Sequence, residues 1–167
     1  DSEDQKGINL YTTTTFVYDS NEANYGIAYV LLANGLTGTT ASWAQSNNLS
    51  GQSGSDTEML EWYTSGSKVT GLKYDHVAIG AWGIKEGLEE SLAPQITAGK
   101  EQKFAYTLSI EGNSLVQDKS QLSVVTLLID NTTGIIMHAT QTKIEAPEAN
   151  NINGITSSTN QTVKYYN

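Results

Sequence analysis

The chain has 167 residues, a net charge of −9, and neither arginine nor cysteine. That length suits one domain with a real core. Nine lysines against eighteen carboxylates give no cationic stripe for releasing counterions from nucleic-acid phosphates, and anionic membrane surfaces are disfavoured for the same reason. The lack of cysteine excludes disulfides, thiol catalysis, iron–sulfur clusters and thiolate zinc sites. No apolar run approaches the roughly 18 residues of a membrane-spanning helix; the longest, "VVTLLI" with its flanks, has the length of a strand. The chain opens on "DSEDQ" with no signal-peptide pattern, and reads as a mature or trimmed piece.

Strands dominate in chain order. "YTTTTFVYD", 11–19, is β-branched and aromatic, and "YGIAYVLLAN", 25–34, follows a turn-like "SNEAN"; the pair reads as a hairpin. A polar, Gly-rich loop fills 35–54, and loops of that length inside compact domains are often functional. One short helix follows: "SDTE", 55–58, fits a capping box with Ser55 as N-cap and Glu58 reaching back, with Met59, Leu60 and Tyr63 as its apolar face. "KFAYTLSIEG", 103–112, alternates, with Phe104, Tyr106, Leu108 and Ile110 on one side. "LSVVTLLID", 122–130, is apolar on both faces and should be a central strand. "DNTTG" turns the chain, and "IIMHATQTKIE", 135–145, returns beside it. The sum is a mainly β protein, a β-sandwich of roughly seven to nine antiparallel strands with one short helix. Its expected domain spans 1–146, with 147–167 a polar tail or an added edge strand at "TVKYY", 162–166.

His76 and His138 are the only imidazoles. No G-x-S-x-G elbow, HExxH or His-x-His spacing accompanies them, so no catalytic residue, metal site or cofactor is expected. "DSNEANYG", 19–26, fails the EF-hand pattern: Gly stands at the eighth position instead of the sixth, and Val30 replaces the final Glu. Glu58 with Glu61, and Glu86 with Glu89 and Glu90, read as solvated faces before they read as a glycosidase pair. Trp43 lies in a polar loop with Gln45 and Asn47, where a flat ring beside amides is the composition of a sugar platform; the plainer reading is that Trp43 anchors the loop. Asn48-Leu-Ser, Asn131-Thr-Thr and Asn160-Gln-Thr match a glycosylation acceptor pattern that arises readily in an Asn- and Thr-rich chain.

Several segments in order, "TTTTFVYD", "ANYGIAYVLLANGLTG", "WAQSNNLSG", "YDHVAIGAWG" and "LSVVTLLIDNTTGIIMHA", give the chain a resemblance, over about residues 8 to 145, to the family related to a 28-kDa outer-membrane protein of Gram-negative gut anaerobes. The resemblance implies a lipid-anchored surface or periplasmic domain, joined upstream to a cysteine-bearing thioredoxin-like region. It also implies a strand before residue 1, whose loss would leave an edge able to pair with another chain. An Arg often follows the family's element that Tyr74-Asp75-His76-Val77 resembles; Ala78-Ile79-Gly80 stand there in this chain.

The expectation is thus a non-enzymatic accessory or interaction domain with a protein or glycan partner. The alternative is a carbohydrate-binding module using Trp43, Gln45 and Asn47. Tyr74 and His76 are expected to be structural. If 74–78 is extended, Tyr74, His76 and Ala78 share a face and Asp75 points away, with His76 partly buried on a backbone carbonyl.

Overall fold

The computed structural model describes residues 7–144 and the strand Ile155–Thr159. The protein is mainly β. Among the described residues nine strands form: β1 (Gly7–Thr15), β2 (Tyr25–Ala33), β3 (Gln45–Ser46), β4 (Lys68–Val69), β5 (Val77–Trp82), β6 (Glu101–Ser109), β7 (Leu122–Asp130), β8 (Ile135–Lys143) and β9 (Ile155–Thr159), with one α-helix, α1 (Leu60–Thr64). The sheet orders are β6-β1-β9, β5-β2-β7-β8 and the small pair β3-β4. Chain contacts divide the molecule into two compact units, one made of residues 1–33 with 78–167 and the other of residues 34–77.

The first unit is a β-sandwich. β2 and β7 pair antiparallel along their whole lengths, from Tyr25 opposite Asp130 to Ala33 opposite Leu122. Directly opposite residues share a face, so Ile27 with Leu128, Tyr29 with Thr126 and Leu31 with Val124 line one side, all buried. The other sheet contributes Ile8 and Leu10 of β1 and Leu108 of β6, also buried. The sheets meet at a buried hydrogen bond between Thr12 Oγ1 and the Tyr29 hydroxyl, 2.7 Å, and at the stacked rings of Tyr29 and Tyr106. A branched polar residue and a phenol are tolerated there because each satisfies the other.

β7 is buried on both faces, as apolar residues on both of its faces require. Its second face, with Leu127 and Ile129, packs with Ala28, and Val30 and Val125 flank the cluster. The 83–91 segment closes over the end of β2: Leu88 N–H donates to the Ile27 carbonyl, Ile27 N–H donates to Ser91 Oγ, and Gly87 approaches Gly26 so closely that a Cβ on Gly26 would lie 2.8 Å from its Cα. The β7–β8 turn at 130–134 is held by Asp130, which accepts from Thr132 N–H and Thr133 Oγ1; these donors lower its carboxyl pKa.

Several expectations change. β1 and β2 are not a hairpin: β1 pairs with β6 and β9, β2 pairs with β7, and the two stand in different sheets. β7 takes one edge of β2 over nine residues and β5 takes the other, so β2 has no edge left for β1. β1 starts at Gly7 and stops at Thr15, so Phe16 and Tyr18 lie beyond the strand, where Phe16 stacks with Tyr25 and meets Tyr18 edge-on. The sheets are not wholly antiparallel, since β9 runs parallel to β1. Both flanks of β1 are therefore occupied. The edge strand expected at 162–166 lies outside the described residues.

Burial pushes the Tyr29 phenol up from 10.0 to about 12, with the Thr12 hydrogen bond pulling the other way. The folded value exceeds the unfolded one, so this contribution to stability is complete below pH about 10 and is lost as pH climbs towards about 12. Tyr29→Phe should remove that component of the alkaline transition in a pH-dependent urea titration. At neutral pH it should cost about 1–3 kcal/mol, because Thr12 Oγ1 is left buried without this partner; an unchanged midpoint would contradict the assignment.

Candidate functional site

Between the end of β2 and the start of β5 the chain makes its longest excursion from the two large sheets, and its ends are tied together. Leu36 and Tyr74 exchange both backbone hydrogen bonds, 3.0 and 2.9 Å. Beside them Gly35 N–H donates to Asp75 Oδ1 and His76 N–H donates to Asn34 Oδ1, each 2.7 Å. Two side chains thus cross in opposite directions to cap the pair. The turn demands left-handed backbone at both corners: Gly35 has φ +69° and His76 φ +56°. Glycine adopts this freely, and histidine is among the side chains that tolerate it.

This corrects the extended reading of 74–78. Tyr74 forms the bridge, but His76 is a bend with an exposed side chain, and its main-chain N–H does the fastening. Asp75 and His76 each contact the opposite strand of the clasp and do not act as an acid–base dyad. Tyr74 is structural in a further sense, since its hydroxyl donates to the Trp43 carbonyl at 2.7 Å.

Within 34–77 only Leu36 and Asn47 are buried. The unit is held by rings on glycines and by polar crosslinks. The Trp43 indole lies on Gly38, where a Cβ would come within 2.4 Å of the ring, and Tyr63 covers Gly54 in the same way. Asn47 is the hub. Its amide donates to the Trp62 carbonyl (2.7 Å) and the Gly66 carbonyl (3.1 Å), its Oδ1 accepts from Leu49 N–H (3.0 Å), and its own N–H reaches Ser67. All the polar atoms of its side chain are engaged inside the unit, so Asn47 cannot read a sugar hydroxyl without giving up those bonds. Gln45 is exposed on β3, opposite Val69 of β4, and Trp43 is half-buried, with the Tyr74 ring 6.1 Å away.

The capping box at 55–58 does not form. The N-cap of α1 is Met59, with no side-chain cap, and the preceding turn is held by Asp56, whose Oδ1 accepts from Glu58 N–H at 3.0 Å. An aspartate two residues before the donor N–H makes the tighter local ring and wins over Ser55. A five-residue helix has little intrinsic stability; Thr64 and Ser65 hydroxyls bond back to the carbonyls of Leu60 and Glu61. Met59 and Leu60 face outward, 37% and 53% exposed.

The remaining candidates are absorbed structurally. Asp19 accepts from Ala98 N–H, fastening the 19–26 turn. Glu86, Glu89 and Glu90 are exposed at a cleft of about 390 Å³ that Asn131 also lines; Asn131 Oδ1 is buried there with no hydrogen-bond partner among the described residues. Among the described residues no group of three His, Asp or Glu is placed to hold a metal ion, and no helix is long and apolar enough to cross a membrane. His138 is half-buried on β8, opposite Leu128. A register shift immediately precedes it in β8, between Ile136 and His138, and Ile135, Ile136 and Met137 project outward.

The clasp escaped sequence reasoning because its two halves lie forty residues apart. Only Asn34-Gly35, a turn dipeptide at the end of a strand, pointed to it. Asn47→Ala should make local opening of 45–69 easier by about 1–3 kcal/mol through its orphaned carbonyls; faster hydrogen exchange at the Asn47 and Trp62 amides, with β7 amides unchanged, is the expected record. His76→Gly should leave the melting temperature unchanged or higher, since glycine removes about 1–2 kcal/mol of left-handed strain while losing somewhat more chain entropy. A marked fall would restore a buried role for the imidazole. No protein-family model, curated protein or solved structure matches the chain in comparison.

Proposed function

We propose that this chain is a non-enzymatic interaction domain of a bacterial cell-surface lipoprotein, and that residues 34–77 form its contact surface. One observation carries the reading: a long unit with almost no buried residues is nevertheless fixed at its ends by four short hydrogen bonds. A segment kept for packing would bury its apolar residues, whereas this one presents Met59 and Leu60 to solvent on a short helix. Binding surfaces are commonly carried in this way, on loops positioned by a rigid scaffold. The surface setting rests on the sequence resemblance alone, and fold does not imply function.

The carbohydrate alternative retains Trp43 and Gln45 but loses Asn47 to internal hydrogen bonds, which leaves the protein-partner reading ahead. β8, an outer strand in the order of the second sheet, exposes Ile135, Ile136 and Met137 and is the place where pairing with another chain would occur; the local bulge blunts it for that purpose.

A photo-crosslinking residue placed at Leu60 in the full-length protein on living cells should yield a discrete protein adduct, while the same residue at exposed Ile84 should not. Protease added to intact cells should reach the domain. Specific glycan-array binding abolished by Trp43→Ala, with no adduct from position 60, would replace this reading with the carbohydrate one.

A further inference from the structure

The clasp brings together more than structural hydrogen bonds require. Asn34 is followed by Gly35, whose missing Cβ leaves its nitrogen unhindered; the space around that position is open. Gly35 N–H points at the Asp75 carboxylate, 2.7 Å away. The Asn34 side-chain oxygen receives the His76 N–H, also at 2.7 Å. We infer that Asn34–Gly35 is a self-modification site, at which the clasp promotes cyclisation of the asparagine side chain onto the next backbone nitrogen.

The step balances within the residues named. Gly35 N attacks the Asn34 side-chain carbonyl carbon as Asp75 takes its proton. Negative charge develops on Asn34 Oδ1, where the His76 N–H stands ready to stabilise it. The tetrahedral centre collapses, the C–N bond of the side-chain amide breaks, and ammonia leaves with the proton returned by Asp75. Water then opens the five-membered imide at either carbonyl, giving aspartate or isoaspartate. Nucleophile and electrophile belong to adjacent residues, so the entropic cost of bringing them together is already met. A folded backbone ordinarily slows such ring closure by holding the amide N–H on a carbonyl, which cannot take the proton. A carboxylate can.

The isoaspartyl product places an extra methylene in the main chain at position 34, two residues before Leu36 of the Leu36–Tyr74 bridge. That lengthens one side of the clasp and loosens the closure of the 34–77 unit.

The chain contains one other Asn-Gly pair, Asn153-Gly154, which serves as a sequence-matched reference. The full chain is incubated at neutral pH in heavy-oxygen water, and peptide mapping follows the amide-to-acid mass change at both positions. Asn34 is expected to convert faster than Asn153 and to incorporate heavy oxygen. Asp75→Asn, which keeps an acceptor for Gly35 N–H but takes no proton, should slow Asn34 about a hundredfold, the lower range for a positioned general base, with Asn153 unaffected. Should that variant misfold, unfolding the wild-type chain in urea gives the same test, since the Asn34 rate should fall to that of Asn153. Conversion no faster than at Asn153, acceleration in urea, or indifference of a folded Asp75→Asn variant would each overturn the inference.

Discussion

The ladder between β2 and β7 is the constraint from which the rest follows. Nine residues on each strand match without a bulge, and both strands are buried over most of their length. With β7 on one edge of β2 and β5 on the other, β1 has no place beside it and builds the opposite sheet with β6 and β9. The inner faces of β1 and β2 then meet across the sandwich, where Thr12 and Tyr29 satisfy each other in a region that excludes water. The choice of one strand partner thus fixes both sheets and the polar contact between them.

The same choice sets the terms for residues 34–77. β5 joins the second sheet beside β2, so the chain that leaves β2 at Ala33 must come back to it at Val77. The connecting segment does not close by burying a core. It closes by reciprocal hydrogen bonds at its ends and by the Asn47 amide within, and such bonds are directional where hydrophobic contacts are not. A unit of this kind keeps a defined backbone while leaving side chains such as Met59 and Leu60 uncovered. Its stability is local, so it can open or change chemically while the sandwich stays folded.

Short polar side chains spread along the sequence serve as fasteners in three dimensions. Asp19, Asp75, Asn34 and Asn47 each accept a backbone N–H from a residue that sequence spacing did not identify, except where Asn47 reaches Leu49 two residues on. Asn and Asp are suited to this because their short side chains mimic a backbone carbonyl. A motif search scores the same residues as ligand donors. Only the location of the N–H groups tells the two roles apart.

The amino-acid order by itself determined the strands that depend on side-chain period. The alternation of Phe104, Tyr106 and Leu108 gave β6 its inner face, apolar residues on both faces of 122–129 made β7 central, and Asp130 with Gly134 placed the turn into β8. These are local properties, legible because a strand's period of two and a turn's preference for Asp and Gly act within a few residues. Tertiary structure alone decided which strands became neighbours, that Asp56 and not Ser55 holds the turn before α1, and that His76 lies in a left-handed bend with its ring exposed. Each of these depends on competition between partners or on groups distant in the chain, as with Asn34 and His76. A hydrogen bond between residues that far apart leaves no periodic trace in sequence; it exists only once β5 has returned to lie beside β2 and the two ends of the excursion meet.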